Sequence, residues 1–129
     1  MAEPGKASRN NLPTYALVVV IGLWAMIQMV SNRSPAPIRC GHELTPDTDT
    51  LVMLSASWCG YCRQARRYLT GENVKYCEYD VETDSEGRRR FAEQAHKVVP
   101  ILMLRGETFL GFEREQIEQA LVAKGLKNL

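Results

Sequence analysis

The feature that most constrains this chain is an uncharged and strongly apolar run that extends from residue 12 to residue 30. Because an α-helix rises about 1.5 Å per residue, a run of this length is just long enough to cross the hydrocarbon core of a bilayer. Tyr15 and Trp24 within the run fit a membrane helix. We therefore predict a transmembrane helix over residues 14–30, preceded by a polar N-terminal tail over residues 1–13.

A cleaved signal peptide is the alternative interpretation of the same run. Its cleavage site requires small residues soon after the run, and here Pro35 and Pro37 crowd the only small residues. This favours an uncleaved anchor. Basic residues flank the run on both sides, so the charge rule scarcely separates the two orientations: Lys6, Arg9, Arg33 and Arg39. The four cysteines favour placing the following domain on the oxidising, periplasmic or exoplasmic side.

The rest of the chain has the composition of one small soluble domain. Sixteen basic and fifteen acidic residues give a net charge of +1. No basic field is therefore available to neutralise phosphates, and nucleic acid is not an expected partner. The proline-containing segment over residues 31–50 is typical of a linker, which leaves a domain over residues 51–125. A domain of this size can fold alone, and the length excludes a second one.

Strand and helix patterns alternate along this domain. Short apolar or β-branched runs predict four strands, at residues 51–54, 74–81, 101–104 and 108–110. Helical patterns predict three helices, at residues 60–69, 83–96 and 113–124. The order β-α-β-α-β-β-α predicts an α/β domain with a four-stranded mixed sheet flanked by helices. A crossover helix joins a parallel pair of strands, and the final hairpin adds an antiparallel edge.

Local signals refine the helix ends and faces. Gly71 is expected just past the end of the first of these helices, and Thr83 with Glu86 forms a capping box that opens the second. Phe91 and Ala95 are expected on the core face of that second helix, because they lie one turn apart. Arginines near the starts of both helices are expected on solvated faces: Arg63, Arg66, Arg67, Arg88, Arg89 and Arg90.

Two cysteines three positions apart carry the candidate chemistry, within the segment Trp58-Cys59-Gly60-Tyr61-Cys62. They lie where a predicted strand gives way to a helix. The unpaired N–H groups and the dipole at a helix N-terminus stabilise a thiolate, so Cys59 is the expected nucleophile. Cys62, one turn inside the helix, is placed to resolve a mixed disulfide by attacking back.

From about Leu51 to Leu121 the chain resembles the thioredoxin superfamily. In size and strand order it is nearer to glutaredoxins and glutaredoxin-like redoxins than to thioredoxin itself. The matching motifs are Trp58-Cys59-Gly60-Tyr61-Cys62, Val99-Pro100, and the Gly111-Phe112 that precedes the last helix. The resemblance implies a cis peptide bond before Pro100, which would face the cysteine pair. It also implies that the backbone of Val99 binds an extended substrate segment, with Trp58 and Tyr61 as further contacts.

The sequence departs from the family pattern at three places. Tyr61 stands where thioredoxin has a proline, and a Gly-Tyr pair between the cysteines also resembles periplasmic disulfide isomerases. Met53 stands where thioredoxin has a buried acid on the strand before its cysteines. Glutaredoxins usually open the last helix with a small residue and an aspartate that hold glutathione, whereas this chain has Phe112 and Glu113.

The other two cysteines, Cys40 and Cys77, lie far from each other in sequence. A second, structural disulfide between them suits an oxidising compartment, and two buried free thiols are the alternative. A zinc site is disfavoured because no second ligand pair has the required spacing, so no metal is expected. Delivery of Cu(I) by the Cys59 and Cys62 thiolates remains an alternative, since soft ligands select that ion.

These observations and the resemblance together predict a membrane-anchored thiol–disulfide oxidoreductase. No bound cofactor is expected, because a Cys59–Cys62 disulfide carries the two electrons itself. The expected partners are protein thiols and disulfides close to the membrane, together with a redox partner that recycles the pair. A glutathione-dependent glutaredoxin facing the cytosol is the alternative enzyme.

Overall fold

The computed structural model describes residues 12–31, 33–41 and 49–127. The chain divides into two units, one ending at Arg33 and the other beginning at Ser34. Residues 1–11 of the predicted N-terminal tail and residues 32 and 42–48 of the predicted linker lie outside the described residues.

The first unit contains one helix, α1, which spans Leu12–Ser31. From Tyr15 to Val30 its large apolar side chains are exposed, and burying such a surface away from water is favourable. By length and composition, residues 13–31 of this helix are able to cross a membrane, and a signal sequence meets the same criteria. The helix therefore contains the predicted span and is slightly longer at both ends.

The second unit has the predicted order of elements. Its strands are β1 (Leu51–Ser55), β2 (Tyr76–Asp80), β3 (Ile101–Leu104) and β4 (Glu107–Leu110). Its helices are α2 (Gly60–Gly71), α3 (Ser85–Glu93) and α4 (Arg114–Ala123). The strands form one mixed sheet in the order β2-β1-β3-β4, in which β1 and β2 are parallel and the other pairs are antiparallel. The predicted four-stranded α/β fold is confirmed.

The central strand β1 is buried on both faces of the sheet. Its residues alternate, with Leu51 and Met53 in one apolar cluster and Val52 and Leu54 in another. The first cluster includes residues of α2 and α4, and the second is packed against by Phe91 of α3. A strand covered on both faces explains why β1 appears in the sequence as an unbroken apolar run.

The helix ends differ from the predictions in two places. Gly71 is the last residue of α2, and Asn73 rather than glycine takes the left-handed conformation after it, with φ 53°. Asparagine tolerates this region better than most residues. Asp84, not Thr83, is the N-cap of α3 and accepts hydrogen bonds from the backbone of Glu86.

The helix α3 is shorter than predicted at both ends. The helix ends at Glu93, so the exposed Ala95 lies outside it, and only Phe91 of the predicted pair contacts the core. Glu86 bonds to arginines of its own helix instead of closing a capping box. One of these, Arg90, also stacks over the ring of Tyr79, 5.0 Å from its centroid, and is therefore not wholly solvated.

Gly87 is the point at which α3 touches β2. A Cβ atom added there would lie 2.3 Å from the carbonyl oxygen of Asp80 and 3.2 Å from Cβ of Tyr79. Both obstacles are backbone or backbone-proximal atoms that cannot swing away. The close approach of α3 to the sheet therefore requires glycine at this position.

The described part of the predicted linker pairs with the free edge of β2. The Glu78 N–H donates to the Ile38 carbonyl at 2.8 Å, and the Cys40 N–H donates to the Glu78 carbonyl at 3.1 Å. Cys40 and Cys77 form a disulfide with an S–S distance of 2.00 Å. The segment therefore covers the sheet edge as a short parallel bridge, rather than only lying over the domain.

Candidate active site

Cys59 and Cys62 lie at the junction between β1 and α2. Cys59 is the N-cap of α2, and its Sγ accepts a hydrogen bond from the backbone N–H of Cys62 at 3.1 Å. The two cysteines form a disulfide with Cα atoms 5.2 Å apart. The turn that leads into the helix is closed by the Cys59 N–H, which donates to the Ala56 carbonyl at 3.1 Å.

The two sulfurs differ in burial. Cys62 has no exposed surface, whereas Cys59 keeps a small exposed fraction of 4%. Both pack with Ala56, and Val81 and Val99 lie against the same small cluster. Cys59 is therefore the cysteine that an incoming group reaches first, as expected for the nucleophile, and Cys62 is enclosed behind it.

Large exposed side chains flank the pair. Trp58 is 65% exposed and Tyr61 is 63% exposed, although both are aromatic residues that usually bury much of their surface. The Trp58 indole N–H donates to the Glu82 carboxylate at 2.8 Å. Exposed aromatic side chains beside a reactive group provide contact surface for a partner.

Val99, the residue before Pro100, packs against the cysteine pair. The peptide bond between them is cis, as the resemblance implied, and Pro100 is buried. The Pro100 carbonyl accepts a hydrogen bond from the Gly111 N–H at 2.8 Å, which ties the start of β3 to the segment before α4. Val99 lies against the Ala56–Cys59–Cys62 cluster.

A buried ion pair that sequence reasoning missed fastens α2 to the sheet. Glu78 has no exposed surface and receives the Arg66 guanidinium through two hydrogen bonds of 2.8 and 2.9 Å. The Ser55 hydroxyl donates to the same carboxylate at 2.8 Å. The hydrogen bond that Arg66 donates to Glu78, opposed by burial, raises the pKa of Arg66. Arg66 is thus not on the solvated face predicted for it.

The position of Glu78 also bears on the acid that β1 lacks at Met53. Met53 is fully buried and pairs in register with Glu78 of β2. A carboxylate does lie beside this part of the sheet, but on the neighbouring strand, and it is already held by Arg66. In the sequence, the only sign of this position is that Glu78 lies two residues from both Tyr76 and Asp80, so that the three share one face of β2.

Asp80 organises the turn between β2 and α3. Its Oδ1 accepts hydrogen bonds from the N–H groups of Glu82 and Thr83 at 2.8 and 3.0 Å. Burial tends to raise the pKa of Asp80, but these backbone donors and the nearby charge of Arg39 outweigh it, so that the pKa is lowered. The carboxylate is therefore held in its charged form.

Two concave regions adjoin the redox helix α2. One, of about 220 Å³, includes Pro37 and Arg39 of the linker together with Ser57 and Asp80. The other, of about 370 Å³, runs along α2 to the start of α4 and includes Arg67 and Phe112. Within the described ranges, no three His, Cys, Asp or Glu side chains form a group able to hold a metal ion.

Comparisons with known proteins agree with this geometry. Residues 51–109 match the family model described as glutaredoxin. The crystal structure of a mutant of a thioredoxin-like protein is similar with a TM-score of 0.50 and 26% identity, covering 56% of this chain and 94% of that protein. Buckwheat glutaredoxin, solved in complex with glutathione, is similar in fold with a TM-score of 0.50 and 18% identity, covering 63% of this chain and 79% of that one. No curated protein matches the sequence significantly.

The fold is therefore thioredoxin-like. The matched residues end within β4, one residue before its last, and they include both cysteines of the motif. The second unit of the chain therefore has a thioredoxin-like fold, is similar to glutaredoxins over residues 51–109, and contains a disulfide between Cys59 and Cys62.

Proposed function

We propose that this protein is a membrane-anchored thiol–disulfide oxidoreductase that exchanges electrons with disulfides of client proteins. The observation that carries the proposal is the position of Cys59 at the N-cap of α2, with its sulfur on the Cys62 backbone N–H. A thiolate in this place is stabilised by the helix N-terminus, which lowers the pKa of such a thiol.

The reaction follows from the order of the two sulfurs. In the reducing direction, the Cys59 thiolate attacks one sulfur of the client disulfide, and the other client sulfur leaves as a thiolate that takes up a proton. Cys62 then loses its proton and attacks the Cys59 sulfur, which releases the second client thiol. Two electrons pass to the client, and the Cys59–Cys62 disulfide remains. The oxidising direction is the reverse.

The surrounding residues support a role in client contact. Trp58 and Tyr61 are exposed beside the pair, and Val99 packs against it just before Pro100. No bound cofactor enters the proposed reaction, because the cysteine pair itself carries the electrons. A separate redox partner must return the pair to its starting state after each turnover.

The proposed location is a membrane, with the redox domain on the periplasmic or exoplasmic side. The length and composition of α1 support the anchor. The second disulfide, between Cys40 and Cys77, supports the oxidising side, since such bonds persist there. An anchored enzyme meets clients and recycling partners that are themselves near the membrane.

A glutathione-dependent activity is the second candidate, and the match to the glutaredoxin family model favours it. The start of α4 argues against it. Glu113 is the N-cap of that helix and makes no capping hydrogen bond through its side chain, and the half-buried Phe112 precedes it. A bulky aromatic residue and an uncapped glutamate differ from the small residue and aspartate typical of glutaredoxins.

One assay separates these candidates. The full-length chain in detergent micelles is tested for reduction of insulin disulfides, with dithiothreitol and then with glutathione as the electron donor. The proposal predicts turnover with dithiothreitol that Cys59→Ser abolishes, and little turnover with glutathione. Turnover with glutathione alone favours the second candidate, and no turnover with either donor contradicts both.

A further inference from the structure

Trp58 is held at the active site by a single described side-chain contact. Its indole N–H donates to the Glu82 carboxylate at 2.8 Å, while 65% of the residue is exposed. A side chain this exposed has little packing to fix its rotamer, so the hydrogen bond to a charged acceptor fixes its direction. Because Trp58 directly precedes Cys59, the direction of the indole shapes the approach to the reactive sulfur.

Glu82 is itself held on both sides of its backbone. Its N–H donates to Asp80 Oδ1 at 2.8 Å, and its carbonyl accepts from Arg88 Nη1 at 2.7 Å. The carboxylate therefore projects from a fixed turn rather than from a mobile loop. Because its backbone is held by hydrogen bonds, the Glu82 carboxylate is able to keep the neighbouring Trp58 side chain in one position.

We propose that Glu82 determines the substrate specificity of the redox pair. It fixes the Trp58 indole beside Cys59, and its negative charge disfavours anionic disulfides relative to cationic ones. This inference rests on the proposed thiol–disulfide activity. Glu82 takes no proton and forms no bond in the exchange, so it is a positioning residue and not a catalytic one.

The charges near the start of α2 make this effect measurable. Arg63 lies close to the pair, because a Cβ atom added to Gly60 would be 3.7 Å from its Nη2. Glu82, which contacts the Trp58 side chain, carries the opposite charge to Arg63. Removing the carboxylate charge leaves Arg63 less opposed, and the site then attracts anions more strongly.

The size of the effect follows from Coulomb's law. A unit charge about 10 Å from the reacting sulfur, in water at low ionic strength, changes the rate for a doubly charged reagent by about two- to fourfold. The ratio of rates for a dianion and a dication therefore changes by about fivefold. High salt screens the same charge and removes the difference.

The first experiment compares two small disulfides of opposite charge. Full-length protein, reduced and held in uncharged detergent, reacts with the dication cystamine and with the dianion 5,5′-dithiobis(2-nitrobenzoate). In each reaction the Cys59 thiolate opens the reagent disulfide, Cys62 closes the protein disulfide, and two reagent thiols are released. Glu82→Gln is expected to raise the anion-to-cation rate ratio about fivefold at low salt, and the change is expected to vanish at high salt.

The matched control is Glu72→Gln. Glu72 also loses one exposed negative charge, but it is the C-cap at the opposite end of α2 from the cysteines. The helix places it about 18 Å from Gly60, beyond the screening distance at moderate salt. This variant is therefore compared at about 0.1 M salt, where the screening length is about 10 Å. Its rate ratio is expected there to equal that of the unmodified protein while that of Glu82→Gln remains raised, and an equal rise in both variants would overturn the inference.

A second measurement tests the position of the indole. The chain has two tryptophans, so Trp24→Phe leaves Trp58 as the only tryptophan, which is excited at wavelengths that tyrosine does not absorb. In this background Glu82→Ala is expected to lower the fluorescence anisotropy of Trp58, whereas Glu82→Gln keeps an acceptor oxygen and is expected to preserve it. Unchanged anisotropy in the alanine variant contradicts the positioning role.

The outcomes distinguish this inference from the function on which it rests. If the unmodified protein reacts with neither disulfide, the proposed activity fails, and the specificity role of Glu82 fails with it. If it reacts with both and Glu82→Gln leaves their ratio unchanged at low salt, only the role of Glu82 is overturned. A ratio that changes equally at low and high salt also overturns it, because an electrostatic effect must be screened.

Discussion

The domain contains two disulfides that the same chemistry forms in very different surroundings. Cys59 and Cys62 are three residues apart, and their bond caps the start of a helix. Cys40 and Cys77 are 37 residues apart, and their bond fastens an extended segment to the edge of the sheet. A disulfide that closes a short loop restrains the unfolded chain little, whereas one that closes a long loop restrains it strongly. A helix N-terminus, in addition, stabilises a thiolate.

If the proposed function holds, the surroundings separate a reactive disulfide from a structural one. The structure places the first bond at a helix N-terminus beside exposed aromatic side chains, although both of its cysteines are buried. It gives the second bond a partly buried Cys40 and a buried Cys77 within an apolar cluster. We expect substitutions to separate the two roles, with activity depending on one pair and stability on the other.

The largest expected effect comes from the reactive pair. Cys59→Ser is expected to reduce disulfide-exchange turnover by about a thousandfold or more, because the nucleophile is lost. Cys62→Ser is expected to accumulate a mixed disulfide with the client, since no resolving thiol remains. Insulin reduction and non-reducing electrophoresis check these outcomes. Substantial turnover of Cys59→Ser would contradict the assignment.

The next largest effect concerns the attachment of α2 to the sheet. Glu78→Gln leaves the Arg66 guanidinium buried without a charged partner and is expected to lower the free energy of unfolding by about 3–5 kcal/mol. Replacing both partners, with Glu78→Gln and Arg66→Met, is expected to recover part of that loss. Urea unfolding followed by circular dichroism measures both values. A cost under about 1 kcal/mol for the single variant would show that the pair contributes little.

Removing the structural disulfide is expected to lower stability by about 4 kcal/mol, as the chain-entropy estimate for a loop of 37 residues gives. The double variant Cys40→Ser with Cys77→Ser is used, so that no unpaired thiol remains. Its turnover per folded molecule is expected to stay within about twofold of the unmodified protein, because neither cysteine contacts the reactive cluster. Loss of turnover without loss of fold would break the separation between the two disulfides.

A smaller loss of stability is expected at the contact between α3 and β2, which does not depend on the disulfide. Gly87→Ala forces a Cβ atom against the Asp80 backbone and is expected to cost about 2–3 kcal/mol. Gly71→Ala is the matched control, since nothing lies within 4 Å of its added Cβ. The control is expected to be neutral or stabilising by up to about 1 kcal/mol. Equal costs at both positions would contradict the close-contact explanation.

The smallest effect is dependent on pH. Since the pKa of Asp80 is lowered in the folded state from its ordinary 3.8, its charge stabilises the fold above that pH. The stabilisation is lost as the pH falls through the folded value. Asp80→Asn is therefore expected to be less stable by about 1–2 kcal/mol at pH 7 and nearly equal to the unmodified protein near pH 2. A difference that does not shrink on acidification would contradict a charge effect.

Much of the fold follows from short-range patterns in the sequence. The strands appear as apolar runs because β1 and β3 are covered on both faces, and the position of α4 follows from its apolar stripe and the glycine after it. Helix ends were harder to predict from the sequence. Thr83 and Asp84 are both good N-cap residues, and only packing decides which of them caps α3. Ala95 shows the same limit, because a regular spacing continues past the point where α3 ends.

The site divides in the same way. The spacing of Cys59 and Cys62 predicts a disulfide-capable pair, and the structure contains that disulfide. The ion pair of Arg66 with Glu78 does not appear in any local pattern, since it depends on the register between α2 and β2. The contact from Trp58 to Glu82 likewise joins residues 24 positions apart. Long-range polar contacts of this kind require the fold before they can be recognised.

The most direct test of the account is to titrate both disulfides with a graded redox buffer. The folded, full-length protein is equilibrated at each potential, the free thiols are trapped by alkylation, and peptide mass spectrometry reports each pair separately. The account predicts that Cys59–Cys62 is reduced first and that Cys40–Cys77 persists below about −300 mV, as structural disulfides do. Reduction of both pairs together, or of Cys40–Cys77 first, would contradict the division of roles between them.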